Sequence, residues 1–185
     1  MRIGFIGSAA LGEKDRAVFA QLGQQLEVLT QPEQLAAVEG VWLSLVRTEE
    51  LRPLYNWRQA IRCRTDLAVM GAALGAYALG QNGPLGLMDY RACCREEHHL
   101  TAELLRIPSW EDHRLTAVFG PEVRFQQIAP NLGIVCQTIE RGPVVLRQGN
   151  FLAASFLPEE TADRAIYRYF LEMVRRSGES SLAKG

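Results

Sequence analysis

The chain has 185 residues, of which 48% are hydrophobic and 22% are charged, and its formal net charge at pH 7 is −1. A chain of this length buries roughly 70% of the surface that its unfolded form exposes, so a core can form without disulfides or a structural metal. The balanced charge, without a Lys/Arg run, argues against nucleic acid or an anionic membrane as a partner. Residues 67–80, the longest apolar stretch, are too short to span a bilayer, and we expect a cytoplasmic protein.

Successive strand and helix units are predicted in the first 80 residues. Each unit joins a short apolar run to a helical segment, and glycine or proline marks the ends. The predicted pairs are residues 2–6 with 13–22, 26–29 with the segment that begins at Pro32, 40–46 with 49–62, and 67–70 with 72–79. Four such units predict an α/β fold with a parallel sheet and helices on both of its faces.

The second half of the chain is rich in predicted strands and ends in a helix. Strand candidates occur within residues 85–125 and then at 133–139, 144–147 and 151–156. Tyr167, Phe170, Leu171 and Val174 have helical spacing, and Thr161 is the candidate N-cap. We predict a single domain over residues 1–176 and a disordered tail over residues 177–185, because that tail has nothing to bury.

The turn after the fourth predicted strand has the spacing of a nucleophile elbow. Gly71-Ala72-Ala73-Leu74-Gly75 matches G-x-Nuc-x-G, in which the glycines permit a tight turn that exposes the central side chain. The central residue is Ala73, which has no nucleophilic atom. The two glycines are equally compatible with a purely structural role, the close packing of a strand on a helix.

The C-terminal block carries a resemblance to a known family. Residues 148–159 read QGNFLAASFLPE, which is similar to the R-Q-G-x-x-L-A-x-S-F-H-P-E-L-T signature of the glutaminase subunit of pyridoxal 5′-phosphate synthase. Weaker similarity at residues 2–4, 32–35, 71–75 and 85–89 extends the resemblance over nearly the whole chain. It implies the flavodoxin-like three-layer α/β/α fold of class I glutamine amidotransferases, with a mainly parallel central sheet and no cofactor of its own.

The resemblance also implies the loss of the family's catalytic triad. Members use Cys, His and Glu to hydrolyse glutamine and pass ammonia to a synthase subunit. The cysteine position is Ala73 and the histidine position is Leu157, so only Glu159 matches. Without a histidine to orient, Glu159 is better interpreted as an acidic residue in the first turn before the final helix.

The family's glutamine-binding loop, P-G-G-E-S, is changed as well. It corresponds to Ser44 followed by Leu45, Val46, Arg47 and Thr48. Leu45 and Val46 replace glycines that let backbone amides approach the substrate, and Arg47 reverses the charge of the glutamate. We therefore predict a catalytically inactive, glutaminase-like protein that binds or regulates a protein partner, with the synthase subunit as the candidate.

Three alternatives remain open at this stage. An active amidotransferase would need a substitute nucleophile, for which Ser44, Thr48 and the four cysteines at positions 63, 93, 94 and 136 are the candidates. A metal site would use Cys93, Cys94, His98 and His99, but neighbouring ligands rarely point the same way, and a polar loop is the favoured interpretation. A ligand sensor would use the bulky residues to reshape the old pocket.

Overall fold

A seven-stranded sheet forms the centre of the protein in a computed structural model, which describes residues 1–95, 100–107, 113–120, 122–161 and 163–182. Its strands are β1 (Arg2–Gly7), β2 (Gln25–Val28), β3 (Gly40–Leu45), β4 (Ala68–Ala73), β9 (Gly133–Thr138), β10 (Gly142–Gln148) and β11 (Phe151–Ala154). The order across the sheet is β2-β1-β3-β4-β11-β10-β9, and the first five strands are parallel. β10 is antiparallel to both of its neighbours. The predicted mainly parallel central sheet is confirmed.

Two small antiparallel sheets are formed by the strands between β4 and β9. β5 (Arg91–Arg95) pairs with β8 (Glu122–Gln126), and β6 (Thr101–Ile107) pairs with β7 (His113–Phe119). These pairs account for much of the region in which the sequence predicted short, irregularly spaced strands. β7 ends close to the segment after β11, because the amide of Leu157 donates to the carbonyl oxygen of Val118 at 2.7 Å.

The α-helices are α1 (Ala9–Gln21), α2 (Arg58–Arg62), α3 (Leu74–Leu79) and α4 (Ala165–Leu182), and 3₁₀ helices occupy Pro32–Ala37, Thr48–Trp57 and Pro158–Glu160. Most of the helix predicted over residues 49–62 is therefore 3₁₀ rather than α. Pro53 lies inside this segment and cannot donate a backbone hydrogen bond there. α1 begins four residues before its predicted start, where Ser8 Oγ accepts from the amide of Leu11 at 3.4 Å.

Successive strand residues point to opposite faces, so the sheet separates two hydrophobic cores. On one face, Trp42 packs among α1 and α4: its ring stacks on Tyr167 with centroids 4.6 Å apart, and Phe19 meets it edge-on at 5.3 Å. On the other face, Leu43 and Leu45 pack with residues of α2 and α3. Helices therefore cover both faces of the sheet, as the three-layer expectation requires.

Strand β4 is longer than predicted. The sequence predicted a helix from residue 72, whereas Gly71 and Ala72 continue the strand to Ala73. Gly71 is a position of close packing within the strand, since a Cβ added there would lie 2.5 Å from the carbonyl oxygen of Gly75 in α3.

The C-terminal helix also differs from its prediction. Residues 177–182, expected to be disordered, continue α4 to Leu182, and Ser177 is buried with its hydroxyl donating to the Met173 carbonyl oxygen at 2.8 Å. The remainder of the predicted tail, residues 183–185, lies outside the described residues. Thr161 is not the cap of α4. It closes the 3₁₀ turn before it, and Asp163 Oδ1 instead accepts from the amide of Ala165 at 2.6 Å.

Candidate functional site

The turn between β4 and α3 is strained at its central residue. Ala73 has φ 49° and ψ −119°, a conformation that costs a residue with a Cβ about 1–3 kcal/mol. The glycines on either side permit close packing, since a Cβ added at Gly75 would lie 2.6 Å from the Leu43 carbonyl oxygen. The two interpretations of this turn therefore coexist: the glycines serve packing, and the tip is strained. The Ala73 side chain is buried and supplies only a methyl group.

The segment after β11 lies against this turn. The amide of Ala73 donates to the carbonyl oxygen of Phe156 at 3.2 Å, which places Leu157 next to the tip of the elbow. The Leu157 side chain is buried, and its Cδ1 lies close to Gly120, where an added Cβ would be only 2.7 Å from it. The structure thus brings together the two positions that the resemblance matched to cysteine and histidine, and both side chains are aliphatic.

Glu159 lies in the 3₁₀ turn Pro158–Glu160 rather than in the first turn of α4, which begins at Ala165. Glu159 is therefore an acidic residue in the first turn of the short 3₁₀ helix that precedes the final helix. Glu159 is only 9% exposed, and neither of its carboxyl oxygens has a hydrogen-bond partner among the described residues. Burial, together with the nearby charge of Asp15, raises the pKa of Glu159 to about 8.

Asp15, on α1, is a second buried carboxyl that sequence reasoning missed. It is fully buried, and the Tyr167 hydroxyl donates to its Oδ1 at 2.7 Å. Burial raises the pKa of Asp15 to about 6, against donors from Tyr167, Trp42 and Ser44 that lower it. A local signal existed: Asp15 follows Leu11 and precedes Phe19 by four residues each, which places it on the buried stripe of the helix.

The loop after β3 is closed by a side chain of its own. Leu45 is paired with Ala73 across β3 and β4, so this loop begins beside the elbow. The amides of Val46 and Arg47 both donate to Glu50 Oε2, at 3.0 Å and 3.1 Å. Thr48 then begins the next 3₁₀ helix. Two amides near the elbow are therefore already occupied from within the chain.

The backbone of this loop is ordinary. Among the described residues, Ala73 and Gln127 are the non-glycine positions with positive φ, so neither Leu45 nor Val46 adopts the left-handed conformation that glycine permits. Leu45 is buried in the core on the α2 and α3 face. The bulky residues thus form a conventional strand end, as expected for β-branched and large apolar side chains.

The candidate substitute nucleophiles are scattered. Ser44 is fully buried among the residues around Asp15, and Cys63 ends α2 before β4, at the opposite end of that strand from the elbow. Burial raises the pKa of Cys136 to about 11, which makes its thiolate scarce. Cys93 and Cys94 lie on β5, where Gln126 Nε2 donates to Cys93 Sγ at 3.4 Å.

The predicted metal site stays a prediction, because two of its candidate ligands, His98 and His99, lie outside the described residues. Within the described ranges, no group of three or more His, Cys, Asp or Glu side chains could hold a metal ion. None of the helices described is long and apolar enough to cross a membrane.

An open cavity of about 480 Å³ lies at the other end of the sheet from the elbow. It is bounded by Ile61 and Arg62 at the end of α2, by Thr65 before β4, and by Asn150 and Phe151 at the start of β11. Because strands β4 and β11 are parallel, this cavity and the elbow occupy opposite edges of the sheet. The cavity is therefore not adjacent to Ala73.

Comparison with known proteins links the chain to one group of relatives. No family model matches it. It is 26% identical to pyridoxal 5′-phosphate synthase subunit PdxT of Thermosipho africanus over 191 residues, which is 95% of this chain and 100% of that protein. It is 27% identical to the subunit of the same name in Koribacter versatilis over 196 residues, 97% of this chain and 100% of the relative.

Solved structures support the same assignment at the level of the fold. A crystal structure of a glutamine amidotransferase superposes with a TM-score of 0.78 at 23% identity, over 93% of this chain and 98% of that one. The PurLQS structure from Thermotoga maritima gives a TM-score of 0.68 at 14% identity, over 98% of each chain. The resemblance found in the sequence is thus confirmed: the chain is related over nearly its full length to the PdxT subunit of pyridoxal 5′-phosphate synthase and has the glutamine amidotransferase fold.

Proposed function

We propose that the chain is a glutaminase-like subunit that does not hydrolyse glutamine and that acts by binding a synthase subunit. Its PdxT relatives are named as subunits of pyridoxal 5′-phosphate synthase, so the synthase subunit of the same organism is the candidate partner. In this role the chain occupies or regulates the position of an ammonia-supplying subunit and supplies no ammonia itself.

The observation that carries the proposal is the strained elbow with alanine at its tip. A positive φ at a residue with a Cβ costs free energy, and proteins usually keep such strain to present a reactive side chain. Ala73 retains the strained geometry with only a methyl group to present. Without an oxygen, sulfur or nitrogen there, no covalent intermediate can form at this position.

The surroundings of the elbow support the same proposal. Leu157, beside the elbow, cannot accept or donate a proton, so a general base is missing from the histidine position. The amides of Val46 and Arg47 are held by Glu50 and are not free to bind an oxyanion. In a comparable triad, loss of one member lowers kcat by roughly 10⁶-fold and further losses add little, so these changes are consistent with one lost activity.

An active amidotransferase that uses another nucleophile is the competing function. Ser44 lies in the core on the α1 and α4 face and has no exposed surface for a substrate to reach. Cys136 is buried with a raised pKa, and Cys63 lies at the far end of β4. Each of these residues would have to act without the elbow, so the structure favours the inactive subunit.

The experiment combines a glutaminase assay with a binding assay on the same samples. Glutamate and ammonia release from glutamine is measured for the purified chain, alone and with the synthase subunit, and the mixture is passed over a sizing column. Co-elution without release supports the proposal. Release that depends on this chain would overturn the inactivity, and failure to co-elute would overturn the partner. A glutaminase subunit with an intact triad serves as the positive control for both readouts.

A further inference from the structure

Two buried carboxyls, Asp15 and Glu159, lie on elements that pack together near the elbow, and the proposed function uses neither. Asp15 comes from α1 and Glu159 from the 3₁₀ turn Pro158–Glu160, and these two elements pack on one another. Asp15 is 0% exposed and Glu159 is 9% exposed. Both act electrostatically on the Tyr167 hydroxyl, which hydrogen-bonds Asp15 Oδ1, so they converge on the same region of α4.

Several polar atoms of this cluster lack a partner. Among the described residues, Asp15 Oδ2, both carboxyl oxygens of Glu159, Ser44 Oγ and Trp42 Nε1 make no hydrogen bond of normal geometry. Ser44 and Trp42 are each fully buried on β3 and face Asp15. Buried polar atoms are nearly always satisfied, and an unsatisfied carboxylate in an apolar core is especially costly. A hydrogen on one of the two carboxyls would supply a donor that this cluster otherwise lacks among the described residues.

We infer that Asp15 and Glu159 hold one proton between them at neutral pH and release it in mildly alkaline solution, which loosens the contact of α1 with the segment beside the elbow. Two like charges in one apolar site cannot both ionise without a large cost, so one carboxyl remains protonated. Asp15 accepts from the Tyr167 hydroxyl and lies near the polar groups of Trp42 and Ser44, so it is the carboxylate. No side-chain donor hydrogen-bonds Glu159 among the described residues, so Glu159 is the acid.

A proton suits this site better than a metal cation. The Tyr167 hydroxyl donates to Asp15, and the polar groups of Trp42 and Ser44 lie near the same carboxyl, which is the environment of an anion rather than of a metal ligand. The described residues also contain no group of three metal-ligating side chains. A proton on Glu159 supplies the missing donor without introducing a new positive charge next to those donors.

The charged groups around the pair do not neutralise it. Lys14 on α1 forms an ion pair with Glu160. Its charge lowers the pKa of Glu159, but by less than burial and the charge of Asp15 raise that pKa. Arg164, ahead of α4, acts on the Tyr167 hydroxyl. On the sheet side, β3 contributes the uncharged side chains of Trp42 and Ser44. Ionisation of Glu159 thus adds a second negative charge that no buried cation balances among the described residues.

The consequence reaches the elbow through the backbone. Glu159 is two residues from Leu157, whose amide donates to Val118, and three from Phe156, whose carbonyl oxygen accepts from Ala73. Loosening of the turn Pro158–Glu160 therefore weakens the two hydrogen bonds that fix the segment after β11 to β4 and β7. The pair makes the surface around the elbow sensitive to pH, independently of whether the chain hydrolyses glutamine or binds a synthase.

The test measures unfolding by denaturant from about pH 5 to about pH 9 for the wild type, Glu159→Gln and the matched control Glu160→Gln. A carboxyl that is protonated when folded and ionised when unfolded makes stability fall as pH rises, by up to about tenfold in the unfolding constant per pH unit. We expect this fall between the ordinary pKa of glutamate, 4.5, and the folded pKa of about 8. Glu159→Gln abolishes the part of this fall above about pH 6, whereas Asp15, with a pKa of about 6, still contributes below it. Glu160→Gln retains both parts.

Two further measurements keep the inference falsifiable if a variant folds poorly. Infrared spectroscopy of the wild type at neutral pH should show a protonated carboxyl band that is lost in Glu159→Gln. Hydrogen exchange at the amides of Ala73 and Leu157, corrected for intrinsic rates, should accelerate in alkaline solution in the wild type only. Parallel pH profiles for the wild type and Glu159→Gln would overturn the inference. So would a stability at about pH 8 that depends on whether sodium, potassium or magnesium is present at equal ionic strength, because the pair would then hold a cation.

Discussion

The amide of Ala73 donates a 3.2 Å hydrogen bond to the carbonyl oxygen of Phe156, and this bond joins the tip of the elbow to the segment that carries Leu157 and Glu159. β4 and β11 are parallel neighbours, so their carboxyl ends meet at one edge of the sheet. The strained turn and the segment after β11 are therefore brought together, while the side chains of Ala73 and Leu157 are aliphatic. Whether this backbone arrangement can still support a reaction can be tested by placing reactive side chains at positions 73 and 157.

Restoring both missing side chains should recover a weak glutaminase activity. Ala73→Cys alone should release ammonia only very slowly, because Leu157 cannot act as a base. The double variant Ala73→Cys/Leu157→His should exceed Ala73→Cys by about 10²-fold, the lower range of what a general base contributes. Ammonia release measured with Ala73→Ser/Leu157→His as the control checks this. A wild type as active as the double variant would contradict it.

The strained backbone at Ala73 should make the free energy of unfolding respond differently to substitutions at positions 73 and 72. Ala73→Gly loses about 0.8 kcal/mol of methyl burial but relieves the positive φ, so the free energy of unfolding should change by less than about 1 kcal/mol. Ala73→Val places a β-branched side chain in that conformation within the core and should cost about 3 kcal/mol or more. Ala72→Val, also buried but extended, should cost only about 1–3 kcal/mol. Equal losses for the two valine variants in urea unfolding would mean that the elbow is not strained.

Glu50 should stabilise the loop after β3. Its Oε2 accepts from the amides of Val46 and Arg47, so Glu50→Ala leaves both without their partner and should cost about 1–2 kcal/mol of unfolding free energy. Glu49→Ala is the matched control, since Glu49 lies in the same first turn and is exposed. Its loss should stay within about 0.5 kcal/mol. Similar losses for the two variants would argue against the capping role.

The strands and their order of appearance were predictable because apolar runs bounded by glycine and proline are local signals. The role of an individual glycine was not predictable in the same way. Gly71 was expected to end a strand, but it lies within the strand and packs closely against Gly75 of α3. The cap of α4 was misassigned for a related reason, since Thr161 and Asp163 are both good caps and only the three-dimensional path of the preceding turn selects Asp163.

The elbow could be located from five consecutive residues, because its glycine spacing is a local pattern. The buried carboxyl pair could not. Asp15 and Glu159 are far apart in sequence and are brought together by packing of α1 on the turn after β11. Burial of Ser44 and Trp42 beside them depends on the sheet register, which no short motif encodes. Local sequence patterns thus predicted the elbow, whereas the burial of Asp15 and Glu159 depends on packing between distant parts of the chain.

Two substitutions of glycine by alanine should change the free energy of unfolding in opposite directions. Gly71→Ala forces a Cβ to within 2.5 Å of the Gly75 carbonyl oxygen, so the backbone must shift, and the cost should be about 3 kcal/mol or more. Gly178→Ala meets no atom within 4 Å on the exposed face of α4 and should stabilise the protein by about 0.5–1 kcal/mol. Denaturant unfolding of both variants measures the difference, and destabilisation by Gly178→Ala would indicate that this part of α4 is not helical in solution.

Tyr167→Phe should destabilise the protein more at neutral than at acidic pH. The Tyr167 hydroxyl donates to Asp15 and favours its charged form, so its removal raises the pKa of Asp15 beyond about 6, further from the ordinary value of 3.8. A raised carboxyl pKa contributes stability that is present below the ordinary value and lost as pH rises. The expected cost is therefore about 1.5–3 kcal/mol above about pH 7 and about 0.5–1.5 kcal/mol below about pH 4.

Tyr169→Phe provides the matched control for this prediction. It makes the same change in the same helix, but the Tyr169 hydroxyl accepts from Arg147 Nη1 at 2.8 Å and does not donate to Asp15. Its cost should be nearly independent of pH, so the difference between the two variants isolates the interaction with Asp15. If Tyr167→Phe showed the flat profile of Tyr169→Phe, Asp15 would not be ionised in the folded protein at neutral pH, and the polar groups around it would be serving a neutral acid.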